Sequence, residues 1–150
     1  MVSSRERSFI DQAVCYHASG GDIDAPVQIG LEESERVRIR EIRRAHQGAT
    51  RLWFAACHNW CSAIEWLLQH GANRSGHAQD FTPLHIASSY DHCDATVLLL
   101  DAGARVDDRN ANAQTALHFA HGHPKMCKLL LSRGASLDAR DTYGRDPEAH

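Results

Sequence analysis

TPLHIASSYDHCDATVLLLDAGA, residues 82–104, holds two apolar helix patterns together with the signals that start and stop them. Thr82 is a good N-cap because its hydroxyl accepts from a first-turn N–H, and Pro83 suits the first helical position, where its missing N–H has no partner to lose. Leu84, Ile86 and Ala87 give the first helix an apolar face, and the small Ala87 lets a neighbouring helix come close. The second pattern, from about Asp94 to Asp101, presents Val97, Leu98, Leu99 and Leu100. Gly103 stops it, since glycine takes the left-handed conformation at a helix C-terminus at little cost. One such helix pair cannot cover its own apolar surface, so it needs copies of itself as neighbours.

The copies are present. Thr50-Arg-Leu-Trp-Phe-Ala55 and Thr115-Ala-Leu-His-Phe-Ala120 flank Thr82-Pro-Leu-His-Ile-Ala87 at intervals of 32 and 33 residues. Each is followed by a second apolar pattern, WLLQHGA, LLLDAGA or LLLSRGA, with Gly-Ala at 71–72, 103–104 and 134–135. A period near 33 residues with T-P-L-H-x-A and LL-x-x-G-A resembles the ankyrin family. The resemblance runs from Gly48 to Pro147 and implies an all-α ankyrin-repeat solenoid of stacked helix-turn-helix units with β-turn tips. It divides the chain into a divergent N-terminal capping half-repeat (1–30), a charged helical insertion (31–47), and three repeats plus the start of a fourth or a C-terminal cap (48–150).

Composition narrows the function classes. The 150 residues are 43% hydrophobic and 23% charged, a globular balance, and no apolar run approaches the ~20 residues of a membrane span. MVSSRERSFIDQ carries charge where a secretory signal needs an apolar stretch, so no export is expected. Five cysteines without framework spacing read as reduced thiols in the cytosol or nucleus. A net charge of -3 gives no global electrostatic reason to bind nucleic acid or an anionic membrane.

Two clusters look chemical at first sight. HFAHGHPKMC, residues 118–127, packs three histidines and a cysteine into ten positions. By the resemblance, His118 and His85 are the structural His of T-P-L-H, which ties adjacent turns together, while His123 and His92 are the His of the G-H pair between the helices. Thr115 to Gly134 spans 19 residues where the other two units span 21, so the density of the cluster comes mainly from a shortened loop around His121. His121, His123 and Cys127 offer three borderline zinc ligands, but no nearby pair supplies a fourth. In CHNWC, residues 57–61, Cys57 beside His58 has the makings of a thiolate and its base. Both fall on variable positions at the end of the first helix, Trp60 replaces the inter-helix His, and no third residue orients His58. Neither catalysis nor a resident cofactor is expected.

At the N-terminus, Ser3-Ser-Arg-Glu6 reads as a capping box, with Phe9, Ile10, Ala13 and Val14 at helical spacing, and Gly20-Gly-Asp-Ile-Asp-Ala-Pro26 resembles the family's turn. In the insertion, Arg36, Arg38, Arg40, Arg43 and Arg44 stand against Glu41, with Glu32, Glu33 and Glu35 just before them. A solvated helix face with paired charges is favoured over an RNA- or acidic-peptide-binding run, since no aromatic interleaves the arginines. At the other end Asp146-Pro147 takes the place of Thr-Pro, and polar Glu148 stands where the core Leu would sit. An exposed Leu130 and Leu131 face would favour a chain that continues.

The function expected is non-enzymatic binding of a partner protein by a monomeric module. The resemblance places contacts on the turn tips and on the ends of the first helices, on the concave side. Carried onto this sequence, these are His46, Gln47, Ala49, Cys57 and His58 in the first unit, and Ala78, Gln79, Phe81, Ser89 and Tyr90 in the second. Ala111, Asn112, Gln114 and His121 follow in the third, with Thr142, Tyr143 and Arg145 in the incipient fourth turn. Phe81, Tyr90, Tyr143 and Arg145 are the side chains best suited to dominate affinity. The alternatives are a zinc-binding or thiol redox-sensing binder, and a basic-helix adaptor for nucleic acid or an acidic peptide.

Overall fold

A computed structural model describes residues 2–25, 49–75 and 81–147. The arginine-rich insertion and the contact positions His46, Gln47, Ala78 and Gln79 lie outside the described residues. Within them the chain forms α1 (Ser4–Ala18), α2 (Arg51–Cys57), α3 (Cys61–Gln69), α4 (Pro83–Ser89), α5 (Cys93–Asp101), α6 (Ala116–Phe119) and α7 (Pro124–Ser132). The first helices α2, α4 and α6 pack side by side in one row, and the second helices α3, α5 and α7 form another. α1 joins the second row by packing on α3. The result is the expected all-α solenoid.

Local chemistry explains where the first helices start. Thr50 Oγ1 accepts from Trp53 N at 3.2 Å, and Thr82 Oγ1 accepts from His85 N at 3.3 Å. The second helices have no such cap from their own N-cap residues Trp60, His92 and His123. For two of them a neighbouring element supplies it. Glu6 Oε1, on α1, accepts from Ser62 N and Ala63 N at 2.9 and 3.2 Å, and Asn59 Oδ1 accepts from Ala95 N at 3.2 Å. Ser3 does cap α1 through Glu6 N. The Glu6 carboxylate, however, is buried against the positive end of α3, where it satisfies two orphan N–H groups, and so does not turn back to close a capping box.

The core runs between the two rows. Leu52, Ile64, Leu67, Leu84, Leu99, Leu117, Met126 and Leu130 are buried, and the alanines at 55, 56, 63, 87, 95, 116 and 120 let the helices approach. Val14 lies outside the α1 stripe and is exposed. Leu130 and Leu131 do not share a face, since the first is fully buried and the second exposed. The turns between helices place Asn59 (φ 53°), Asp91 (φ 58°) and Gly122 (φ 80°) in the left-handed region at corresponding positions. Those are residue types that tolerate it.

The two-residue deletion in the third unit is not taken from the loop, as the spacing alone implied. α2 and α4 have seven residues and α6 has four, while the connector lengthens from 90–92 to 120–123. The helix loses its last turn because the left-handed residue needed to reverse the chain, Gly122, comes two positions early.

Leu99 is fully buried in α5 between the rows. Leu99→Ala is expected to destabilise the protein by about 2–5 kcal/mol, a large part of a marginal stability. Urea unfolding of the variant should show a lower midpoint with an unchanged slope, and an unchanged midpoint would contradict the core assignment.

Candidate functional site

The surface that carries the contact positions is held by buried imidazoles. His85 Nδ1 accepts from Thr82 N at 3.1 Å, and its Nε2 lies 3.0 Å from Asp108 O and 3.1 Å from Gln114 O. Carbonyls only accept, so Nε2 carries the proton and Nδ1 the lone pair. His118 repeats the pattern, with Nδ1 facing Thr115 N at 3.1 Å and Nε2 facing Arg145 O at 3.2 Å. His92 Nε2 reaches Cys57 O at 3.1 Å and ties the start of α5 to the end of α2. Burial pushes the His85 imidazole below its ordinary value, outweighing the carbonyls and the nearby Asp108 charge that favour protonation.

Two tips are built alike. Asn110 Oδ1 accepts from Asn112 N and Gln114 N, each at 2.9 Å, and Asp141 Oδ1 accepts from Tyr143 N at 2.8 Å and Arg145 N at 2.9 Å. Thr142 N donates to Asn112 O at 2.9 Å and links one tip to the next. Burial works to raise the Asp141 carboxyl, but the Arg145 N–H and guanidinium and the Tyr143 N–H outweigh it and hold it below the usual carboxylate range. Asn110 and Asp141 were missed as organising residues. The signal was there: each precedes an N-cap position, Thr115 or Asp146, by five residues.

The expected contact residues then sort by environment. His58, Ser89, Tyr90, Asn112, His121, Tyr143 and Arg145 are exposed, and Cys57, Phe81 and Gln114 are half-buried. His58 and Tyr90 are the C-caps of α2 and α4, and His121 follows the C-cap of α6, so the three lie along one edge of the stack. Phe81 packs edge-on against Phe119 at 5.1 Å and against His85 at 6.1 Å, which makes it partly a core residue. Arg145 bonds Asp141 through Nε and Nη2 and lies 4.9 Å from the Tyr143 ring centroid. Tyr90 stacks on His92 at 5.8 Å and 18°. Ala49 is buried.

Cys57, Cys61 and Cys93 are poorly placed for nucleophilic or redox work. Burial pushes Cys57 up to about 11, which leaves almost no thiolate at neutral pH. Burial likewise raises Cys61 and Cys93, with nearby carboxylates adding to it. His58 stacks on Trp60 and lies edge-on to Phe54. Cys127 Sγ donates to Ala120 O at 3.2 Å, while His123 Nδ1 faces Asp91 Oδ2 at 3.8 Å. Among the described residues, no group of three or more His, Cys, Asp or Glu side chains is arranged to hold a metal ion.

The family model described as "Ankyrin repeats (3 copies)" matches residues 14–110 and 52–141. This chain belongs to the ankyrin-repeat family. It is 35% identical over 103 residues to the human "Ankyrin repeat and KH domain-containing protein 1", an alignment that covers 65% of this chain and 4% of that protein. It is 31% identical over 107 residues to Inversin from Canis lupus familiaris, covering 68% of this chain and 10% of Inversin. A third relative, "Probable E3 ubiquitin-protein ligase XBOS33" from Oryza sativa subsp. japonica, is 46% identical over 52 residues, 33% of this chain and 10% of that protein. The chain thus spans a tenth or less of the length of these relatives. Ankyrin repeats generally mediate protein–protein interaction and are generally not enzymes. No helix among the described residues is long and apolar enough to cross a membrane.

Two measurements probe this ankyrin surface. A depressed imidazole pKa means that the unfolded chain binds the extra proton first. The His85 contribution is therefore complete above its unfolded value of about 6.5 and is lost as pH falls through the lower folded value. His85→Gln should unfold more easily at neutral pH and lose less stability on acidification than the parent protein, and an identical pH slope would rule out this role. Iodoacetamide at neutral pH should label exposed Cys15 well before Cys57 when peptides are quantified over time. Equal rates would contradict the suppressed thiolate.

Proposed function

We propose that the chain is a non-enzymatic protein-binding module that grips a partner protein along the ends of its first helices and the adjoining turn tips. The observation that carries this is the setting of two tyrosines. Tyr90 and Tyr143 are 54% and 76% exposed, yet each ring is oriented by a neighbour, His92 for the first and Arg145 for the second. A large amphipathic ring already held in place offers contact area at low entropic cost, the property that lets a few aromatics dominate an interface. Around them, exposed Ser89, Asn112, His58 and His121 supply hydrogen-bonding capacity at the rim.

In this proposal the module is a monomer of the cytosol or nucleus, where its five unpaired thiols stay reduced. Residues 1–30 cap the stack, 31–47 form an insertion, and 48–150 hold three repeats and the start of a fourth or a terminal cap. Phe81, Gln114 and Arg145 support the tips as well as the contact, so truncating them would disturb the fold along with any interface.

The experiment is capture of partners from native lysate on the immobilised chain, followed by affinity measurement with Tyr90→Ala and Tyr143→Ala. Each variant should fold normally, since both rings are exposed, and the double variant should bind at least about tenfold more weakly at physiological salt. If affinity survives loss of both rings and collapses instead on Arg40→Ala with Arg43→Ala, the contact belongs to the arginine segment.

A further inference from the structure

We propose that His17 and His70 form a two-imidazole site for a borderline divalent transition cation of the Zn²⁺ class, which would clamp α1 to α3. His17 lies in the last turn of α1 and His70 is the C-cap of α3. The two helices pack on each other and bring the rings to a centroid separation of 5.6 Å with planes 82° apart. Two imidazoles bound tetrahedrally to one zinc at Zn–N of about 2.0–2.1 Å place their centroids about 5 Å apart, close to the observed separation.

Three features point to a cation. His70 Nδ1 lies 2.7 Å from Trp66 O, a carbonyl that can only accept, so Nδ1 carries the proton and the neutral ring offers its lone pair at Nε2. This is the backbone-oriented tautomer typical of metal-binding histidines. The ring is also fixed in plane, stacked on the Trp66 indole at 4.0 Å and 21°, with His17 edge-on to the same indole at 6.2 Å. Finally, both histidines sit at helix C-termini, of 15 and 9 residues, where the peptide dipoles place partial negative charge. An anion is repelled there and a cation attracted.

The ligand type selects the ion. Imidazole nitrogens suit Zn²⁺, Ni²⁺ or Cu²⁺ and not Mg²⁺ or Ca²⁺, which take oxygen. Both side chains are exposed, so water completes the coordination and exchange is open. His85, His92 and His118 differ in kind, because their Nε2 atoms are engaged by carbonyls of other units.

The test uses untagged protein with zinc chloride or magnesium chloride at about pH 7.5. Zinc should raise the thermal midpoint by about 2–5 °C, as a ligand that binds only the folded state does, and magnesium should not. The rise should vanish in His17→Gln and in His70→Gln and persist in His121→Gln/His123→Gln. Independently of stability, histidine-selective proton–nitrogen spectra should show zinc perturbing the ring nitrogens of His17 and His70. No zinc-induced rise in the parent protein, an equal rise in His17→Gln/His70→Gln, or loss of the rise in the His121/His123 variant would each overturn the proposal.

Discussion

The stack depends on one buried imidazole. His85 satisfies an N–H of its own helix start, which is buried, and two part-buried carbonyls of the following tip, all within 3.1 Å. The buried Thr82 N–H left without a partner would cost about 1–3 kcal/mol, so the ring is more than a filler between units. It also sets the orientation of the next tip relative to the helix before it, which is how side chains about a repeat apart come to share a surface. His118 does the same with Arg145 O. The fold can be described as a chain of such ties with apolar contacts between them.

The first unit makes the same joints from other materials. Trp53 stands at the position of His85 and is fully buried. Trp60 stands at the position of His92 and packs with Phe9, Phe54 and His58. Aromatic area thus replaces directional hydrogen bonds at the end where the repeat meets α1. Phe9 at 5.7 Å from Phe54 is the link that docks α1 there. Arg51 adds a second link, lying 4.2 Å from the Tyr16 ring centroid and donating to Asp22 O. The non-directional packing tolerates a helix that does not follow the repeat pattern.

The units, their order and the structural histidines were legible in the sequence because the repeat period makes each residue's partner predictable from its copy. Thr82, His85 and Gly103 could be assigned their roles from one unit and checked in another. What was not legible depends on which distant residues become neighbours. Nothing in Ser3-Ser-Arg-Glu6 says that the carboxylate would serve α3, 56 residues on, since a capping box and an inter-helix cap have the same local spelling. Asn59 reads as a turn residue and is also the cap of α5. On the surface, exposed Tyr90 and half-buried Phe81 look alike in sequence. The difference is Phe119, which the stack sets beside Phe81 but not beside Tyr90.

The short α6 has a consequence for anything that lies along the first helices. With three residues fewer than α2 or α4, it stops about 4.5 Å lower at 1.5 Å per residue. The edge formed by the helix ends therefore drops by nearly one helical turn at α6, with His121 in the connector just beyond it. A stack of identical units would let an extended ligand shift by one repeat and find the same surface. This step makes the two ends unequal, so a ligand that fits it has one register and one direction.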